Sequence, residues 1–210
     1  KYGVELRRTL TGFKFIGEQV GVLESEGREG DFLMGFEESY GYLAGTSVRD
    51  KDAVVASMLI CELAAHWKKL GLDLYEAMER LYETYGFWSS ALLGQAYEGP
   101  EGASDMAAMM SGLREHAPQN IGGTAVAQRI DYAQGAPMPV VNATDEPQRL
   151  PEADVLEFRL ADGSRVLFRP SGTEPKAKAY VFAKGADHAE SEAKLAALVA
   201  DAESILGGTR

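Results

Sequence analysis

Residues 155–183 read VLEFRLADGSRVLFRPSGTEPKAKAYVFA. Two short alternating runs, 155–160 and 164–168, flank Ala161-Asp162-Gly163, and Asp-Gly is a strong hairpin signal because both residues tolerate the positive φ of a tight turn. A third run, 177–183, follows a polar loop. Three consecutive strands joined by short connections specify an antiparallel meander. Downstream, Asp187 and Glu190 stand at capping-box spacing ahead of a helix whose Leu195, Leu198, Val199, Ala202, Ile205 and Leu206 fall on one side. A meander closed by a helix is an α+β domain. Upstream, 123–132 (GTAVAQRIDY) also alternates, and Pro137, Pro139 and Pro147 break the stretch between into a loop. The expected domain spans 118–210, with its boundary near Pro118.

Residues 1–117 follow a different pattern. The segment 10–21 (LTGFKFIGEQVG) reads as a turn feeding a helix, and 31–36 (DFLMGF) is an apolar run of strand length. The clearest helix is 51–70, where Val54, Val55, Met58, Leu59, Leu63 and Trp67 recur at spacings of three and four; Asp50 or Asp52 starts it and Gly71 stops it. Asp73 and Glu76 form a second capping box for a helix that ends at Gly86, and 104–116 reads as another helix ended by Pro118. Strands interleaved with helices give an α/β domain over 1–117, followed by the small α+β domain with its antiparallel sheet. Cys61, among Leu59, Ile60 and Leu63, is expected in the core, and Tyr82, Tyr85, Phe87 and Trp88 are expected to pack the α/β layer.

A chain of 210 residues accommodates one large domain or two small ones. Its net charge of -11 repels phosphate backbones and anionic membranes, so nucleic-acid and membrane partners are not expected. No apolar run approaches the ~18 residues of a membrane span, and the start does not resemble a signal peptide. One cysteine makes no internal disulfide, and His66, His116 and His188 lack zinc spacing, so a reducing cytoplasm fits and no metal is expected in this chain. His66 and His116 read as structural or solvent-facing.

The loop between the second and third strands, Arg169-Pro170-Ser171-Gly172-Thr173-Glu174-Pro175-Lys176, offers a planar guanidinium, two hydroxyls, amides exposed by glycine, and an ammonium. Those are groups that grip a phosphate dianion, and two prolines limit the entropy lost on binding. From 164 to 184 there are five basic residues and one acid, net +4, leaving -15 elsewhere. Composition alone equally allows an ordinary connection with solvated basic side chains.

RPSGTEPKAKAY resembles the phosphate-binding loop of the α-D-phosphohexomutases, the phosphoglucomutases and phosphomannomutases. DFLMGFEESYGYLAGTSVRDKD, residues 31–52, resembles the sugar-recognition loop of that family's third domain, and KYGVELRRTLTGFKFIG at the start matches as well. GFEESYGY followed by VRDKD is most similar to the phosphoglucomutase branch. The resemblance implies a partial third domain over 1–117, its opening strand and helix lying upstream, and the fourth domain over 118–210. It implies a reaction that moves a phosphoryl group between C1 and C6 of a hexose through a phosphoserine and a bisphosphorylated sugar.

By the same resemblance, Glu37 and Ser39 meet the ring hydroxyls beside flexible Gly35 and Gly41, and Thr11, Gly12 and Lys14 line the ligand cleft. Lys51 stands near the reacting end, where an ammonium stabilises charge or assists proton transfer. Arg169, Ser171, Gly172 and Thr173 hold the phosphate that is not transferred, with Lys176 or Lys178 adding charge. The residues themselves also permit plainer readings: Glu37-Glu38 as a solvated acidic turn, and Lys51 with Asp50 and Asp52 as a helix-start ion pair of little weight. The family's nucleophilic serine and its Asp-x-Asp-x-Asp magnesium site match no segment here, so magnesium is expected on another domain of a parent enzyme and this chain alone is expected to be inactive. Expected ligands are hexose phosphates and hexose 1,6-bisphosphate. A stand-alone phosphosugar-binding or regulatory module is the alternative, and a scaffold with vestigial loops a third. A partial domain leaves apolar surface uncovered, so self-association is expected.

Overall fold

Asp52, Asp73 and Asp187 cap the starts of three helices, Gly71, Gly86 and Gly207 follow their ends, and period-two runs become strands. In the computed structural model, which describes residues 2–37, 40–142, 149–172 and 174–208, β1 (Leu6–Arg7) precedes α1 (Phe13–Ser25), β2 (Met34–Glu37), β3 (Gly41–Ala44), α2 (Ala53–Lys69) and α3 (Leu74–Tyr85). Then come β4 (Phe87–Ala96), α4 (Gly102–Glu115), β5 (Asn120–Ile121), β6 (Thr124–Asp131) and β7 (Val140–Val141). The chain closes with β8 (Leu156–Leu160), β9 (Arg165–Pro170), β10 (Lys176–Gly185) and α5 (His188–Leu206). Two compact units result: Lys1–Glu79 with Pro137–Leu150, and Arg80–Ala136 with Pro151–Arg210. No helix among the described residues is long and apolar enough to cross a membrane.

The second unit is a six-stranded antiparallel sheet ordered β4-β10-β9-β8-β6-β5. Gly163 at φ 90 makes the β8–β9 turn, as the Asp-Gly pair predicts. One face carries Leu156, Phe158, Val166, Phe168, Ala179 and Val181, all fully buried, and α4 and α5 contribute Met110, Leu113, Leu198 and Ala202 to the same core. The Phe158 and Phe168 rings meet edge-on at 6.0 Å. At the start of α5, the Asp187 carboxylate accepts from Glu190 N (2.8 Å) and Glu190 accepts from Ala186 N (2.6 Å), a reciprocal cap. Glu157, 2% exposed, accepts from Tyr132 Oη (2.7 Å) and Arg159 Nε (3.0 Å). Burial first, and then that hydrogen bond to a carboxylate, push the Tyr132 phenol above its ordinary pKa.

The units divide elsewhere than at Pro118. β4 pairs with β10 without a bulge from Phe87↔Gly185 to Ala96↔Lys176, so β4 and α4 belong with the antiparallel sheet. Ser89 Oγ lies 2.9 Å from Ser191 Oγ, and Tyr97 Oη donates to Leu206 O at 2.6 Å, which fasten β4 to both ends of α5. Consequently Tyr82, Phe87 and Trp88 do not pack an α/β layer. Tyr82 and Phe87 stack at 5.8 Å and meet the His188 ring edge-on at 4.9 and 4.8 Å, Trp88 lies under Lys184 Nζ at 5.8 Å, and Tyr85 is exposed.

In the first unit β2 and β3 form an antiparallel hairpin, β1 pairs with β7, and α2 packs against β3. The Asp52 carboxylate caps α2 by accepting from Val54 N and Val55 N, both at 3.0 Å. Asp73 and Glu76 exchange hydrogen bonds of 2.8 Å at the start of α3. The apolar stripe expected to bury α2 stays at the surface: no residue of the helix is fully buried, and Val54 is 73% and Met58 60% exposed. Cys61, expected in the core, is likewise exposed, since it lies among the exposed Met58, Leu59, Ile60 and Leu63 of the same helix.

Candidate functional site

Two clusters correspond to the sequence expectations, one in each unit. In the first, Glu37 closes β2 directly across the hairpin from Gly41, and Lys51 stands just before α2. Lys51 Nζ lies 3.5 Å from Glu37 Oε1, 3.4 Å from Asp50 Oδ1 and 5.2 Å from the centre of the Phe13 ring. The Glu37 side chain is only 11% exposed whereas that of Lys51 is 50% exposed, so the ammonium is the solvent-facing half of the pair. Desolvation pulls the Lys51 pKa down, but the Glu37 and Asp50 carboxylates outweigh it and leave it above the ordinary lysine value. The backbone N–H of Lys51 donates to Asp50 at 2.7 Å and, with the ammonium, holds that exposed carboxyl below its usual range.

The segment carrying Lys51 is pinned on both sides. Asp52 N donates to Tyr42 O of β3 at 2.8 Å, and α1 approaches so closely at Gly17 that a Cβ there would stand 2.8 Å from Arg49 O. Gly35 and Gly41 are therefore not flexible joints. Neither has a positive φ, and an added Cβ would meet Ile16 Cγ2 at 2.4 Å or Lys51 Cδ at 2.6 Å, so both serve close approach. Thr11 and Gly12 lead into α1, with Gly12 as N-cap at φ 130, no side chain capping the helix and no acid in its first turn. No acid of its own first turn therefore offsets the positive end of this helix's dipole. Lys14 turns its ammonium over the Phe15 ring at 4.7 Å. Phe13 joins the Lys51 cluster although its sequence signal is indistinguishable from a core aromatic.

In the second unit the phosphate-type loop connects β9 to β10. Its neck is closed by Ser171 N donating to Lys176 O (2.7 Å) and Lys176 N donating to Glu174 O (2.7 Å), and Tyr97 N fastens Pro175 O at 2.8 Å. Glu174 N also donates to Ser171 Oγ at 3.3 Å. Around Gly172 an added Cβ would meet nothing within 4 Å, so its backbone is open. Lys176 pairs with Glu174 at 3.0 Å in a largely exposed contact of little weight. Arg169 and Lys178 are different: they are direct cross-strand partners on one sheet face, and neither has a carboxylate partner among the described residues. Cross-strand Cβ atoms stand ~5 Å apart and like charges so placed repel, an arrangement that an anion between them would relieve. Ser39 and Thr173 lie outside the described residues.

Residues 1–85 match the family "Phosphoglucomutase/phosphomannomutase, alpha/beta/alpha domain III", and residues 125–202 match the C-terminal domain of the same family. The chain belongs to the phosphoglucomutase/phosphomannomutase family. Glu37, Gly41 and Lys51 fall within the domain III match, and the Arg169–Lys178 pair within the C-terminal one. A phosphoglucomutase of Staphylococcus aureus (strain bovine RF122 / ET3-1) is 35% identical over 196 residues, 93% of this chain and 35% of the relative. A "Probable phosphomannomutase" of Haemophilus influenzae is also 35% identical, over 197 residues. Both comparisons span about a third of the relatives' length. Parafusin, a phosphoglucomutase of Paramecium in its open form, shares the fold with a TM-score of 0.63 at 21% identity, covering 94% of this chain and 33% of that one.

Magnesium, which the family resemblance implies, does not fit the carboxylates nearest the first cluster. Asp52 is committed to the α2 cap and Asp50 to Lys51, and among the described residues no group of three or more His, Cys, Asp or Glu side chains could hold a metal ion.

Proposed function

We propose that these 210 residues supply the sugar and phosphate recognition of a phosphohexomutase of the phosphoglucomutase branch, which moves a phosphoryl group between C1 and C6 of a hexose phosphate through a phosphoserine and a bisphosphorylated intermediate. The observation that carries the reading is the Arg169–Lys178 pair beside a neck-closed loop with open backbone at Gly172. The guanidinium fork and the ammonium hold the phosphate that is not being transferred, assisted by Ser171, Gly172 and Thr173, with Lys176 secondary because Glu174 already pairs with it. In the other unit Glu37 accepts from ring hydroxyls, Ser39 adds a hydroxyl, and Lys51 stabilises negative charge at the reacting end. Thr11, Gly12 and Lys14 line the cleft at the start of α1.

The nucleophilic serine and the magnesium site are assigned to other domains of the whole enzyme, so no transfer step is assigned to a residue of this chain. Incubation with glucose 1-phosphate, magnesium and a trace of glucose 1,6-bisphosphate should then yield no glucose 6-phosphate. Turnover by this chain alone would contradict that assignment.

A further inference from the structure

The Glu37–Lys51 pair is built around a residue that has no side chain. Gly41 is buried, lies across the hairpin from Glu37, and has no positive φ, so its backbone conformation does not demand glycine. What it supplies is volume. A Cβ there would stand 2.6 Å from Lys51 Cδ, 2.8 Å from Lys51 Cγ and 2.9 Å from Glu37 Cγ. The aliphatic stem of Lys51 thus crosses the hairpin where a side chain at position 41 would sit, bringing its ammonium to 3.5 Å from the Glu37 carboxylate. The backbone around Lys51 is held by the Asp52–Tyr42 hydrogen bond, the α2 cap and the close approach of Arg49 to Gly17. An added methyl therefore displaces flexible side chains rather than the main chain.

We propose that Gly41 is a positioning residue for the sugar-recognition cluster: its missing side chain is the slot that lays Lys51 against Glu37, so that ammonium and carboxylate meet the ligand as one paired unit. Its functional meaning rests on the hexose-phosphate reading, whereas its geometry does not. The groups acting on the ammonium are the Glu37 and Asp50 carboxylates and the Phe13 ring.

The test uses the full chain with isotope-labelled lysine, the Lys51 signal being assigned by its loss in Lys51→Arg. With glycine at 41, Glu37→Gln should lower the titration midpoint of Lys51, because a carboxylate favouring the ammonium is removed. In the Gly41→Ala background the same substitution should leave the midpoint unmoved. Equal shifts in both backgrounds overturn the proposal. Stability gives a second readout: Gly41→Ala should lower Tm, and in a Lys51→Ala background most of that loss should vanish, since the stem it collides with is gone. Should Gly41→Ala fail to fold, the Gly41→Ala/Lys51→Ala chain is expected to fold. Equal loss of Tm in both backgrounds, or failure of both chains to fold, overturns the slot. Both readouts are taken without ligand. A chain that shows them yet does not bind glucose 1-phosphate contradicts the hexose-phosphate reading alone, and one that binds without showing them contradicts the slot alone.

Discussion

At Lys178, binding and stability pull in opposite directions. It faces Arg169 directly across β9 and β10, and like charges so placed repel unless an anion lies between them. Lys178→Ala should leave the unliganded chain unchanged or more stable by about 0.2–1 kcal/mol, and should weaken phosphate-ligand binding. Thermal melting with and without glucose 1-phosphate reads both, and a chain that loses stability without losing affinity would contradict an anion site. Arg169→Lys should also weaken binding, because an ammonium lacks the planar fork that engages two phosphate oxygens at once. In sequence these residues stood out through the family resemblance of their loop, since its composition alone equally allowed an ordinary connection between two strands. Gly41 was not: its part depends on which atoms occupy the space its side chain would fill, and no sequence pattern records that.

The helices and the β8–β9 hairpin follow local rules that the sequence displays openly. Both capping boxes form as spaced, and Asp187→Ala should cost about 1 kcal/mol in chemical denaturation by removing the cap of α5. Asp162 in the β8–β9 turn accepts from Ser164 N at 2.9 Å and pairs with Lys194 of α5 at 3.2 Å. Desolvation alone would raise its pKa, but the Ser164 N–H and Lys194 outweigh that and lower it. A carboxylate depressed on folding contributes fully above the ordinary aspartate value of about 3.9, and the contribution drains away as pH falls through the lower folded value. Urea denaturation should therefore show Asp162→Asn destabilising at pH 7 by about 1.5 kcal/mol, with the difference from the parent narrowing toward pH 3. A difference independent of pH would contradict the ion pair. β4 escaped the sequence reading because Phe87–Ala96 follows a helix with only Gly86 between, while its partner β10 lies some ninety residues on. Such a long-range pairing is fixed by the β10 edge and by Ser191 and Leu206 of α5, none of which is near it in sequence.

For the molecule as a whole, the core of the antiparallel sheet and the surface of α2 are the two extremes. Phe158 is fully buried against Phe168, and Phe158→Ala should cost about 3–5 kcal/mol, read as an earlier denaturation of that unit. Val54, Met58 and Leu63 on α2 remain exposed, a face on which concentration-dependent self-association is expected; light scattering from a clean monomer at high concentration would contradict it. The stripe itself was legible as helix periodicity, yet periodicity shows that a face is apolar and not what lies against it. The central claim, that this chain recognises a phosphorylated hexose through its β9–β10 loop, is tested most directly by calorimetric titration with glucose 1-phosphate of the parent chain beside Arg169→Ala. The account predicts measurable binding that weakens by about tenfold or more on losing the charge-assisted contact, whereas no binding at millimolar ligand, or binding unchanged by the substitution, would contradict it.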